Sequence, residues 1–279
     1  MSKDKASEAA DVSVVIPHFN DSLSLKRAVL SVVAQSQKPQ EIIVVDDCSD
    51  SEHRERVLHF LETIPNSRCI EMPVNAGPGV CRNAGWEAAR CEFVAFLDSD
   101  DVWQSQKIEV QLDLLRRRTT AVLVAGRQVR ISSEESLPAV GRHIPVRVLP
   151  RIRMLAHNPI GTSTVMVRRV VEGRFPRTRF AEDYHLWIEL AFEGEIVLFD
   201  IPLAAGFKRP VGESGLSSHI WRMLAAEFAI FVSLRRRRVI ALSDVLFAHA
   251  VLVGRGARRV LAHFAQKAKS HVVLNRSGQ

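Results

Sequence analysis

Short, continuously apolar runs alternate with longer segments of helical spacing through the first hundred residues, and no other feature narrows the fold as much. Residues 12–16 (VSVVI), 41–47 (EIIVVDD), 69–74 (CIEMPV) and 93–98 (FVAFLD) read as strands. Between them, residues 23–35 place Leu25, Ala28, Val29, Val32 and Val33 on one helical face. Residues 53–64 form a second helix, and residues 77–91 a third, opened by glycines. Strands that are apolar on both faces must be covered on both, and helices between them join parallel neighbours. The pattern predicts an α/β fold with a mostly parallel central sheet flanked by helices. Ligands of such sheets bind beyond the carboxyl ends of the strands. Three of these ends carry unusual side chains: PHFN, DDCSD and DSDD.

After Trp103 the pattern predicts a helix over 106–118, a strand over 120–126, a polar connection over 132–150 and a strand over 162–167 (TSTVMV). A helix over 181–194 and a strand over 195–200 follow. With 279 residues, 47% of them hydrophobic, the chain can bury one large core with an appendage. We expect a disordered polar tail over 1–11, the α/β domain over 12–215 in halves 12–110 and 111–215, and a basic helical region over 216–279. The four cysteines (Cys48, Cys69, Cys81, Cys91) have no zinc-like spacing and read as free thiols of a reducing compartment. No signal peptide core is visible, and the longest apolar run, residues 239–254, is short and interrupted by Asp244 and His249. The expected location is cytoplasmic. From residue 216 onward, 11 Lys and Arg face 2 Asp and Glu, whereas the first 215 residues carry 27 against 29. All the excess positive charge therefore lies in the last segment, which suggests a polyanionic partner such as a membrane surface or a nucleic acid.

The strand ends carry the chemistry. Asp98 and Asp100 flank Ser99 where an apolar strand surfaces, a D-x-D suited to a hard divalent cation, Mn²⁺ or Mg²⁺, that also meets phosphates. Alone, the same acids would suit a solvated turn equally well. Asp46 and Asp47 end the second strand, where a carboxylate can accept from a base N–H or a ribose hydroxyl, or cap a helix. The segment 75–85 (NAGPGVCRNAG) opens a helix whose free N–H groups suit an anion; Arg82 stands where a dinucleotide fingerprint would have glycine. Glu182 and Asp183 fall in the first turn of a helix, where acids are stabilising on dipole grounds and could also supply a general base. His18 and His185 read as structural.

In their order and spacing, VSVVIPHFN, SVVAQSQKPQEIIVVDDCSD, NAGPGVCRNAGWEAA, EFVAFLDSDDVW and EDYHLW resemble the family 2 glycosyltransferases of the GT-A fold. The likeness spans roughly residues 12–190. It implies that Pro17 and Phe19 lie against a nucleotide base, that Asp47 contacts the base, and that Asp98 stands near ribose and metal. It further implies Asp100 as metal ligand, Asp183 as catalytic base and Trp187 as an aromatic shaping the acceptor site, with Glu182 beside it. Arg82 and Ser99 complete the expected nucleotide-sugar contacts, Arg82 through the diphosphate. The implied reaction is a single displacement on a nucleotide-diphosphate sugar, inverting the anomeric carbon. Residues 12–110 would then be the nucleotide-sugar half and 111–215 the acceptor half. Two departures touch nucleotide recognition: Phe19 stands where the family usually has tyrosine, and DDCSD is a residue shorter than the common DDGSTD. UDP is therefore a default.

The last segment brackets an apolar stretch with basic clusters and suits an interfacial helix at an anionic membrane, or a helical cap on the domain. The expected partners are a nucleotide-sugar donor and a glycan or glycolipid acceptor in envelope polysaccharide, lipopolysaccharide or glycolipid synthesis, with peripheral attachment to the inner membrane face. Competing readings are a sugar-1-phosphate nucleotidyltransferase and a non-catalytic membrane- or nucleic-acid-binding protein. The first should show a basic glycine-rich loop after the first strand, which PHFN is not. Few aromatics interleave the basic residues of the tail, which argues against nucleic acid. Lys208 or Arg209 is a candidate to reach the diphosphate.

Overall fold

In the structure, a computed structural model, residues 9–132, 135, 137–141, 144–178, 180–207 and 220–256 are described, residues 220–224 by their backbone. Along the chain run β1 (Ala10–His18), α1 (Ser22–Val33), β2 (Pro39–Asp46), α2 (Ser51–Glu62), β3 (Ser67–Glu71), α3 (Pro78–Ala88) and β4 (Phe93–Phe96). Then come β5 (Asp101–Trp103), α4 (Lys107–Arg117), β6 (Ala121–Ile131), β7 (Val146–Val148) and α5 (Arg151–Ala156). A 3₁₀ turn (Thr162–Thr164), β8 (Met166–Arg168), α6 (Glu182–Glu193), β9 (Glu195–Phe207) and α7 (Ile220–Arg236) follow, and a further helix, α8, covers 242–256.

The strands form one sheet in the order β3-β2-β1-β4-β8-β6-β9-β5, with β7 paired to β9. Its first four strands are parallel, and so is the β6–β9 pair; β8 enters antiparallel between β4 and β6. The α/β architecture expected from the alternation is thus observed. Val12, Val14 and Ile16 on one face of β1 meet Leu25, Ala28, Val29 and Val32 of α1 in the main core. On the other face α3 lies so close to the sheet that a Cβ on Gly85 would stand 2.4 Å from Val15 Cγ1. That approach brings the start of α3 to the ends of β1 and β2.

Three details differ from the sequence expectation. The polar tail stops short of residue 11, because Ala10 is fully buried and its N–H donates to Lys38 O at 2.7 Å; residues 1–8 lie outside the described residues. The run 162–167 is a strand only from Met166. Its first residues wind into a 3₁₀ turn because the N–H and hydroxyl of Thr164 both donate to Gly161 O, at 2.9 and 2.7 Å. The connection 132–150 contains the short strand β7.

The chain divides into two compact units, one of residues 1–154 and 158–213, the other of 155–157 and 214–279. The two expected halves of the α/β domain share the first unit and its sheet. In the second unit α7 and α8 form a helical pair. Val245, Ala248 and Leu252 of α8 are buried, and the His249 ring stands 4.7 Å from that of Phe228 and 5.8 Å from that of Phe231.

Candidate functional site

A cavity of about 370 Å³ opens beyond the carboxyl ends of β1, β2 and β4. Pro17, His18 and Phe19 reach it from β1, Asp47 from β2, Asp98, Ser99 and Asp100 from β4, and Pro78 and Arg82 from α3. All of the residues expected at the nucleotide sugar, and both expected metal ligands, therefore line one space. Strand alternation explains the division of labour at β1: the Phe19 ring is half exposed at the cavity, while His18 is buried, 3.9 Å from Asp46 Oδ1. Burial lowers the His18 pKa, with Asp46 opposing, so the imidazole is neutral at neutral pH.

Asp47 has a second occupation. Its two carboxylate oxygens accept from the N–H groups of Ala76 and Gly77 at 2.7 and 2.9 Å. Gly77 then turns the chain into α3 with φ of 92°, a left-handed conformation that glycine adopts without strain, and Pro78 begins the helix. The expected base contact would therefore be made by a carboxylate already fixed by the backbone. Each oxygen keeps a lone pair for it.

Arg82 lines the cavity and is also tied to two acids. It is buried; Nη2 donates to Asp98 Oδ1 at 2.5 Å and Nη1 to Glu182 Oε1 at 3.1 Å, with the guanidinium 5.3 Å from the Phe175 ring centre. Burial works against its charge, but Asp98, Glu182 and Asp183 outweigh that and raise its pKa. Sequence spacing, one hundred residues between Arg82 and Glu182, gave no sign of this link.

Glu182 and Asp183 start α6 behind Ala181, whose φ of 53° is left-handed. Asp183 Oδ1 accepts from Tyr184 N at 2.7 Å, and Oδ2 accepts from Asn158 Nδ2 at 3.1 Å and Thr162 Oγ1 at 3.4 Å. Burial pushes the Asp183 carboxyl up, against the Tyr184 N–H and Arg82. Glu182 is raised for the same reason, with Arg82 opposing. A carboxylate of raised pKa, oriented by three neutral donors, is chemically suited to accept a proton. Asn158 and Thr162 carry no motif and were not legible in the sequence.

Trp187 stands elsewhere than expected. It has no exposed surface and packs edge-on to Phe175 at 5.6 Å, in a file of rings that continues to Phe96 and Trp86. α6 is buried on most of its circumference, and this position faces the core. Asp101, which the sequence left without a role, braces the D-x-D turn. It is buried, accepts from Gln128 Nε2 at 2.6 Å and from the Ser163 hydroxyl, and Ser163 Oγ in turn accepts from Asp98 N at 3.1 Å. Burial raises its pKa from 3.8 to about 6; Ser163 opposes this, and Asp98 and Asp100 add to it.

Among the described residues no three His, Cys, Asp or Glu side chains form a metal-ligating group. Asp98 and Asp100 nevertheless fit a cation of the kind held by one or two carboxylates and completed by substrate phosphates. Asp100 is the exposed member, and Asp98 is already paired with Arg82. Lys208 and Arg209 lie outside the described residues.

Comparison with known proteins agrees with this geometry. The model of "Glycosyl transferase family 2" matches residues 13–174. A putative teichuronic acid biosynthesis glycosyltransferase, TuaG of Bacillus subtilis, is 29% identical over 81% of this chain and 88% of its own. The succinoglycan biosynthesis protein ExoO of Rhizobium meliloti is 30% identical over 78% of this chain and 67% of its own. The Escherichia coli protein WfgD, a UDP-Glc:α-D-GlcNAc-diphosphoundecaprenol β-1,3-glucosyltransferase, is 25% identical over 78% and 84%. Among solved structures, S. aureus TarS 1–349 in complex with UDP superposes with a TM-score of 0.60 at 18% identity, covering 79% of this chain and 65% of that one. That likeness is one of fold.

Proposed function

This chain belongs to glycosyl transferase family 2, and from that premise we propose that it moves a sugar from a nucleotide-diphosphate sugar to a hydroxyl of a glycan or lipid-linked acceptor in cell-surface polysaccharide synthesis. Its fold is of the GT-A type. The observation that carries the reading is the convergence of Phe19, Asp47, Asp98 and Asp100, from three separate strand ends, on one cavity. UDP is the proposed nucleotide: relatives include a UDP-Glc-dependent enzyme, and the TarS fold holds UDP.

In this reading the base stacks on Phe19 and meets Asp47, while Ser99 and Asp98 lie along the ribose and diphosphate. Asp100, with Asp98, would hold Mn²⁺ or Mg²⁺, which when bound supplies positive charge against the departing diphosphate. Arg82 keeps Asp98 in place through the 2.5 Å ion pair. Asp183, held by Asn158 and Thr162, takes the proton of the acceptor hydroxyl. The acceptor oxygen bonds to the anomeric carbon as the carbon–oxygen bond to the diphosphate breaks, and one displacement inverts the centre. Glu182, buried against Arg82, orients this end of α6. The proposed workplace is the cytoplasmic face of a membrane, where a lipid-linked acceptor would be presented.

A thermal-shift panel of UDP, GDP, ADP and CMP, with and without Mn²⁺, tests the reading. Saturating UDP with Mn²⁺ is expected to stabilise the protein by about 2–3 kcal/mol at a hundredfold excess over Kd. No response to any nucleoside diphosphate would overturn it.

A further inference from the structure

Helix α8 (residues 242–256) has no charged residue on its exposed side. Leu242, Leu246, Ala250 and Val253 recur there at helical spacing with Phe247 beside them, and Leu246 and Val253 are 63% and 60% exposed. The two charged side chains of α8 are turned to other work: Asp244 Oδ2 accepts from Ala241 N at 2.9 Å, and Arg255 pairs with Glu227 at 3.3 Å. A helix on the surface of a soluble unit ordinarily sets charged residues opposite its buried stripe. Here both stripes are apolar.

The neighbouring helix repeats the pattern. Among the described side chains of α7, Ala225, Ala229 and Val232 are the exposed positions up to the exposed cluster Arg235–Arg238. Arg236 and Arg237 also line a groove of about 470 Å³ with Phe228, Val232, Ser233 and His249, basic at one end and apolar along its length. Cations beside an uncharged apolar face are what an interfacial helix needs: the face enters the acyl boundary and the cations meet anionic headgroups. Among the described residues no helix is long and apolar enough to cross a membrane. A nucleic acid would satisfy Arg235–Arg238 but leave Leu246, Phe247 and Val253 in water.

We propose that α7 and α8 dock this protein on an anionic phospholipid bilayer, α8 lying in the interface with Leu242, Leu246, Phe247 and Val253 among the acyl chains and Arg235–Arg238 at the headgroups. The docking rests on this surface alone; only its purpose, access to a membrane-borne acceptor, rests on the transferase reading.

Flotation of the full chain with phosphatidylcholine vesicles, alone or mixed with phosphatidylglycerol, tests it. Recovery with the mixed vesicles is expected to exceed that with phosphatidylcholine by ~10-fold or more. The double variant Leu246→Glu/Phe247→Glu should lose flotation at any salt, and Arg235–Arg238 changed to Gln should lose the anionic preference. Both variants should keep the parent's circular dichroism melt and donor hydrolysis. A Phe247→Trp variant should show quenching by brominated acyl chains beyond that of the parent. Equal flotation on both vesicles, variants that float like the parent, or no added quenching would overturn the proposal. So would light scattering showing that Leu246→Glu splits a dimer, which would make this face a contact between copies. A parent that hydrolyses donor but floats with neither vesicle would refute the docking and leave the transferase reading standing; a parent that floats with the mixed vesicles but hydrolyses no donor would do the opposite.

Discussion

Arg82 and Asp98 are joined at 2.5 Å inside the strand-end cavity, and the other terminal nitrogen of Arg82 reaches Glu182 at 3.1 Å. One buried guanidinium thus ties the D-x-D loop to the first turn of α6. The residue before Asp183 is held by the same cation that positions the first acid of the D-x-D motif. Removing Arg82 would leave two carboxylates facing each other around an empty, desolvated space. Arg82→Ala is expected to cost about 3–5 kcal/mol in urea unfolding. Arg82→Lys should recover only part of it, because an ammonium cannot fork to both acids. An Arg82→Ala protein as stable as the parent would show that the link is not structural.

Phe19 offers a cleaner test of nucleotide binding, since its ring is 48% exposed and packs little of the core. Phe19→Ala should leave the melting temperature of the free protein within about a degree, because surface changes rarely exceed ~0.5 kcal/mol. The same change should weaken UDP binding by ~5- to 100-fold through lost base stacking. Calorimetric titration reads both the affinity and its recovery in Phe19→Tyr.

Lys107 is fully buried; its Nζ donates to Gln111 Oε1 at 2.7 Å and lies 4.0 Å from the Trp103 ring centre. Burial drives its pKa well below that of a free lysine. The unfolded chain therefore binds a proton that the folded chain does not, and stability rises with pH between the folded and unfolded pKa. Lys107→Met removes this dependence. The stability of the variant relative to the parent should fall by about 1.4 kcal/mol per pH unit across that window. Urea midpoints measured from neutral to alkaline pH check the slope; parallel profiles would contradict it.

Much of this was legible along the chain, for reasons that differ by residue. Asp47, Asp98 and Asp100 stand out because continuously apolar strands end on them, and a strand end has a fixed place in a parallel sheet. Residues whose meaning depends on a distant partner could not be read that way. Trp187 looks like a surface aromatic in a helix that begins with two acids, yet the packing of Phe175 and Phe96 turns it inward. Arg82 reads as a phosphate ligand, and its ties to Asp98 and to Glu182, a hundred residues away, have no mark in the sequence. Ser163 sits in a β-branched run that reads as strand, but its hydroxyl serves Asp98 and Asp101, and the chain coils to let it do so.

In the proposed mechanism Asp183 is the base. It acts as a carboxylate, so transfer should fall tenfold per pH unit below its pKa, and burial places that limb above the ordinary aspartate value of 3.8. The most direct measurement is single-turnover transfer by Asp183→Asn with saturating UDP-sugar and acceptor, alongside UDP binding by the same protein. The expected result is a rate lower by ~10²–10⁴-fold, without the acidic limb, at an unchanged UDP affinity. Transfer at the parent's rate, with the parent's pH profile, would contradict it.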